Sequence, residues 1–245
     1  MQEVVNNFKK YFSVRLADTQ ELRREAFKIR YEVFCDELGF EDKDAFPDGL
    51  EQDEFDVTSD HLLLVHNSTQ AFAGTVRFAH TSVSEPGQIL PLEKYCRHAF
   101  DPVLFDLDAQ ERGTFGEVSR LAVSPQFRRR SGERGKPFIF EGARSDLSGK
   151  ATNFPYIAIG LYLAAGSLCV LNKYHYVVVM MEPKLAKGLS RVGIQFQQAG
   201  EPIDYHGLRA PYCISPEMLL SNMIPPVREM FDAISNELAE QQSSS

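Results

Sequence analysis

Between Ala151 and Asn172 the chain carries no charged side chain, and from Ile157 to Leu171 nearly every residue is apolar. A helix that is apolar on all sides must be covered on all sides, by protein or by lipid. Crossing a bilayer takes about 20 such residues. This run is shorter and is interrupted by Gly160, Gly166 and Ser167, so a buried core helix is expected. The composition agrees: 245 residues, 43% hydrophobic and 24% charged, suit a globular chain with one sizeable core. A net charge of -8 argues against a nucleic-acid binder, which would present a basic face. Cys35, Cys96, Cys169 and Cys213 lie far apart with no CxxC pair, so free thiols of a reducing compartment are expected. Residues 1–10 lack a basic stretch followed by an apolar one, which disfavours secretion. A cytoplasmic protein with at most peripheral membrane contact is the expectation.

Periodicity supplies the other elements. Leu22, Ala26, Ile29 and Val33 make one apolar stripe in a helix expected over Asp18–Phe40. Asp18 with Glu21 supplies a capping-box start, and Gly39 the stop. An acidic surface loop follows from Glu41 to Asp60, and then a hairpin of His61–His66 and Gly74–His80. Further strands are expected at Phe115–Val123, Tyr174–Met181 and Ile194–Gln198, with a helix at Pro183–Arg191. Residues 127–154, rich in Arg, Gly and Ser, read as an exposed loop insertion. From Pro225, the stripe Val227, Met230, Phe231, Ile234 and Leu238 predicts a helix ending in a frayed tail. The expected organisation is one domain over 1–224 and a terminal helix with its tail over 225–245. The order of elements predicts an α/β fold with a mixed, mostly antiparallel central sheet flanked by helices. Neither GxGxxG after a strand nor GxxxxGK[ST] occurs, so a dinucleotide or P-loop site is not indicated.

Three clusters carry chemistry: Arg30 to Phe34; Glu51, Asp53 and Asp56 with Arg77; and Glu117, Ser119 and Arg120. In order and approximate spacing they resemble the N-acyl-homoserine lactone (autoinducer) synthases over roughly residues 15 to 125. In the second half, FPYIAIGLYLAAG, MEPKLAKGLSRVGIQF and Asp204 to Arg209 instead resemble the PEP-CTERM/exosortase-associated acyltransferases, relatives of the N-acyl amino acid synthases. Both resemblances imply the GCN5-related N-acyltransferase (acyl-CoA N-acyltransferase-like) fold and a fatty acyl chain taken from acyl carrier protein, with acyl-CoA a possible donor. No bound cofactor is implied. Ser119, Arg120, Leu121 and Val123 would follow the phosphopantetheine arm of the donor. Arg30, Phe34, Glu51, Asp53, Asp56 and Arg77 would bind the acceptor or order the acidic loop.

An amine that attacks a thioester must lose a proton, and Glu117 is the candidate base, directly or through a water. In a regular strand Glu117 and Arg120 point to opposite faces; a β-bulge near Val118 or Ser119 would bring them together. Backbone N–H groups of that strand would serve the oxyanion. Arg128, Arg129, Arg130, Arg134 and Lys136 form a basic cluster suited to docking an acidic carrier protein. The histidines and acids show no metal-ligand spacing, so no metal is expected, and His175 reads as a core or pocket residue. The leading expectation is an N-acyltransferase that makes an N-acyl amino acid by direct attack on the thioester. The alternatives are an autoinducer synthase using S-adenosylmethionine and a non-catalytic acyl-carrier or lipid-binding module.

Overall fold

The computed structural model describes residues 2–85, 87–127 and 156–244. In chain order its elements are α1 (Gln2–Tyr11), β1 (Phe12–Leu16), α2 (Gln20–Arg30), β2 (Ser59–His66), β3 (Ala71–His80), α3 (Pro91–Tyr95) and β4 (Phe115–Val123). Then follow α4 (Tyr156–Leu171), β5 (Tyr176–Met181), α5 (Pro183–Ser190), β6 (Gln197–Gln198), β7 (Ile203–Asp204), β8 (Leu208–Ile214), α6 (Pro216–Asn222) and α7 (Pro225–Ser244). The sheet runs β1-β2-β3-β4-β5-β8-β6, with β7 paired to β8. Its pairings are antiparallel except for the β4–β5 pair, which is parallel.

The run His61–Val65 is apolar without alternation because both faces of β2 are covered. Leu62 and Leu64 point into the main core with α4, whereas Leu63 packs with Ala26, Ile29 and Val33 of the first long helix on the opposite face. Helix α4 lies between the sheet and α7, whose Val227, Met230, Phe231, Ile234 and Leu238 join the same core. That sandwich explains its lack of charge. Gly74 of β3 sets the approach distance: a Cβ there would sit 2.7 Å from the Ala122 carbonyl oxygen and 3.0 Å from Leu161 of α4. Gly74→Ala is expected to cost about 1–3 kcal/mol through overpacking, read from the urea midpoint with an unchanged m-value.

Several expectations need correction. The helix expected from Asp18 is α2, capped by Thr19, whose side chain accepts from the Leu22 N–H, and not by Asp18. It leaves α geometry at Tyr31 and continues as a π-helical segment to Glu37, with Gly39 at φ +61 just beyond its end. Of the strand expected at Ile194–Gln198 only β6 forms. His175 is exposed, because β5 begins after it and its N–H is engaged by the Thr114 carbonyl. Where a frayed tail is expected, α7 continues, and the Gln241 side chain bonds both the Leu16 N–H and the Val14 carbonyl of β1 at 2.9 Å. The loop insertion at 127–154, apart from Phe127, lies outside the described residues. All four cysteines are buried free thiols. Among the described residues no helix is long and apolar enough to cross a membrane.

Candidate active site

The site forms where β4 and β5 part. Their parallel register is Phe115↔Tyr176, Gly116↔Val177 and Glu117↔Val178. Beyond it the two strands diverge, and residues 118–123 on one side and 179–182 on the other line a cleft enclosing about 160 Å³. A bulge in β4 aims the chemistry into this cleft. Thr75 pairs with Ala122 but Arg77 with Ser119, so β4 holds one residue more than β3, and Arg120 takes the left-handed conformation at φ +53. The bulge falls slightly later than expected. Its effect is that Glu117, Ser119, Arg120, Leu121 and Val123 all line the same cleft. Left-handed backbone is costly for a residue with a Cβ and persists only where the surroundings hold it. Here the Arg120 guanidinium is tethered to Glu41 at 2.9 Å and Glu51 at 3.2 Å, and it lies over the Phe34 ring.

Behind the cleft is a buried network of three guanidinium groups and four carboxylates. Arg30 donates Nε–H to Glu51 at 2.5 Å and grips Asp56 with both terminal nitrogens, at 2.7 and 3.0 Å. Arg77 donates through Nη1 to Asp53 at 2.6 Å and Asp56 at 2.9 Å, and through Nε to the Ser119 hydroxyl at 3.1 Å. Asp53 and Asp56 also cap a 3₁₀ turn, each satisfying backbone N–H groups, which fixes the acidic loop against the sheet. Burial alone would raise the Glu51 and Asp56 carboxyls, but Arg30 outweighs it and holds both below their usual range. His61 lies beneath the network with its ring edge-on to Phe27. Burial, with Arg30 nearby, lowers it to about 4, so it is neutral. The network has little of the surface ion pair about it: Arg30 is 0% and Glu51 1% exposed.

Glu117 differs from these carboxylates. Among the described residues it has no ion pair, and its Oε2 accepts the Leu92 N–H of α3 at 2.7 Å. Burial pushes it up to about 7, against the opposing pull of Arg77, the Leu92 N–H, Arg120 and the Ser119 hydroxyl. A carboxyl poised near neutrality can take a proton at physiological pH and later release it. Cys96 also lines the cleft, but burial and the Glu117 charge push its thiol up to about 11, so it stays protonated. Among the described residues no group of His, Cys, Asp and Glu is placed to hold a metal ion.

Sequence reasoning assigns no site role to several polar side chains of this cleft, among them Glu41, Glu182, Tyr205, His206 and Arg209. Tyr162 sits in the apolar run, which reads as core before it reads as the lining of an acyl tunnel. The basic cluster Arg128, Arg129, Arg130, Arg134 and Lys136 lies outside the described residues.

Residues 29–135 match the family model of an acetyltransferase (GNAT) domain. Together with the parted β4 and β5 in a mostly antiparallel sheet, that settles the architecture. The fold is that of the GNAT acyltransferases. Similar solved structures include a CoA-dependent acyl-homoserine lactone synthase, BjaI, with SAM and isopentyl-CoA, at 14% identity and TM-score 0.58, covering 92% of this chain and 89% of that one. Another is FeeM, an N-acyl amino acid synthase from uncultured soil microbes, at 14% identity and TM-score 0.57, covering 87% and 94%. A third is the AHL synthase LasI, at 16% identity and TM-score 0.56, covering 88% and 98%. A search of curated protein sequences finds no match. On this GNAT scaffold, Glu117 occupies the strand that opens the cleft; Arg77 and Arg120 of the network line the wall beside it, and Arg30, Glu51 and Asp56 lie behind them and do not reach the cleft.

Proposed function

We propose that the protein is an N-acyltransferase that moves a fatty acyl chain from a phosphopantetheine thioester to the amine of an amino acid. The observation that carries this reading is Glu117: a carboxyl with no ion pair among the described residues, held near neutrality at the mouth of the parted strands, beside a cleft with both an apolar and a charged wall. The apolar wall (Leu121, Val123, Val179, Met181 and Leu185) suits the acyl chain and the pantetheine arm. Glu117 takes a proton from the acceptor amine, whose nitrogen forms the new bond to the thioester carbon. The C–S bond breaks and the thiolate leaves to be protonated. The strand edge of β4 beyond Glu117, unpaired to β5, offers N–H donors to the oxyanion. Direct attack is favoured over an acyl-cysteine because the Cys96 thiol is protonated.

Acyl carrier protein is the donor we favour over CoA. The basic cluster between Arg128 and Lys136 on a chain of net charge -8 is suited to steer an acidic carrier. The choice of an amino acid acceptor draws on the resemblance of the second half to the PEP-CTERM/exosortase-associated acyltransferases. The test is mass spectrometry of reactions containing long-chain acyl carrier protein and either pooled amino acids or S-adenosylmethionine. N-acyl amino acids are expected. An acyl-homoserine lactone with methylthioadenosine would replace this reading by that of an autoinducer synthase, and carrier binding without product by that of a non-catalytic module.

A further inference from the structure

The guanidinium groups of the network each engage carboxylates; among the described residues that of Arg209 does not. It sits on β8, across from Ile203 of β7 and one residue before Ala210, which pairs with Met181 at the end of β5. Arg209 therefore enters the cleft from the wall opposite β4. Among the described residues no carboxylate forms an ion pair with it, and its buried Nε–H finds no hydrogen-bond acceptor. Its guanidinium lies over the Phe40 ring, with Cζ 5.9 Å from the ring centre. Glu182, Tyr162 and Tyr205 are its electrostatic neighbours, and Arg120 is the nearest cation acting against it. A guanidinium cannot discharge itself by losing a proton, and a buried donor without a partner is costly. Such a planar fork is shaped for a carboxylate or a phosphate.

Position decides between these two anions. Glu117, Cys96, Tyr205 and Arg209 all line the one cleft. Arg209 thus faces the same small space as the base. The donor's phosphate is separated from its thioester by the whole pantetheine arm and cannot share that space with the reacting carbon. The carboxylate of an α-amino acid lies one carbon from the amine and can. We propose that Arg209 is the residue that recognises the acceptor's α-carboxylate, with the acceptor amine turned toward Glu117. This inference rests on the N-acyl amino acid reading and adds to it the group by which acceptors are selected.

The test uses the full-length protein with long-chain acyl carrier protein and two acceptor pools: the twenty amino acids, and the same amino acids as carboxamides. The wild type is expected to prefer the acids. Arg209→Met is expected to raise the acceptor KM about 10- to 100-fold, the range for a hydrogen-bonded charged pair, with donor KM and kcat little changed and the preference for acids over amides abolished. Arg209→Lys, which keeps the charge without the fork, is expected to recover part of that preference. A general loss of folding would move donor KM and kcat as well. Retention of the acid preference in Arg209→Met overturns the proposal alone. So does a raised donor KM with an unchanged acceptor KM, which would move Arg209 to the donor. A wild type that acylates the amides as readily as the acids also overturns it, while leaving an N-acyltransferase in place. A wild type that acylates neither pool overturns the proposal together with the reading beneath it.

Discussion

Glu117→Gln is expected to lower kcat by about 10²- to 10⁴-fold while leaving donor binding and the fold intact. The amide keeps the volume of the carboxyl and can still accept the Leu92 N–H through its oxygen, so α3 stays anchored to β4. What disappears is the proton acceptor. The pH dependence makes the assignment specific. With its carboxyl pushed up to about 7, the wild type should lose activity on the acid side with an apparent pKa near that value, and the variant's residual rate should lack this limb. Stability moves the other way. Folded Glu117 holds its proton more tightly than the unfolded chain does, so it costs stability as pH rises from the ordinary glutamate range through about 7. Glu117→Gln should therefore be no less stable than wild type above neutrality. A variant with wild-type kcat and an unchanged acid limb would remove Glu117 from the mechanism. A non-catalytic module would show the same carrier binding in both proteins and turnover in neither.

Much of this architecture is legible in the sequence because its signals are local. The charge-free run can only be a core helix, and Phe115–Val123 is both the expected strand and the observed β4. What is not legible is set by tertiary geometry. β8 is not among the expected strands, and Pro211 weakens its strand pattern, yet the strand is built with β5 on one side and β6 on the other, and the Pro211 carbonyl accepts the Ala199 N–H. Strand parity shows that a bulge is needed to bring Glu117 and Arg120 together. Its place is fixed by the pairing of β4 with β3 and by the tethers on Arg120, both long-range. The widened turn after Arg30 is likewise invisible to a helical periodicity that simply continues through it. Arg209 and Glu41 escape for the same reason. Each is an ordinary charged residue in its own segment and meets the site only when the sheet and the acidic loop are assembled. The network residues are legible because their order and spacing as a set resemble those of the autoinducer synthases, which a single charge cannot do.

The other large effect is expected from the network itself. Arg30→Met is expected to destabilise the fold by about 3–5 kcal/mol at neutral pH, because one substitution strips both Glu51 and Asp56 of their main partner while leaving them buried. Arg77 and Arg120 still touch these carboxylates, but neither supplies the two-pronged grip on Asp56. Arg30→Lys should recover only part of the loss, since an ammonium cannot bond Glu51 and both oxygens of Asp56 in one plane. The sign with pH separates this mechanism from a packing defect. Both carboxyls are held below their ordinary values in the folded wild type, so the stability they contribute is present above those values and is lost as pH falls through the lowered ones. In Arg30→Met that contribution is already gone. The difference between the two proteins, measured by urea unfolding at several pH values, should be largest near neutrality and shrink below about pH 4, where the unfolded carboxyls also take up protons. A difference that stays constant across this range would assign the cost to lost packing against Phe27, whose ring lies 5.2 Å from the Arg30 guanidinium, and not to the stranded charges. Because Glu51 also tethers Arg120 in its left-handed conformation, the variant should also lose turnover in the folded state, with the cleft wall loosened beside an intact Glu117.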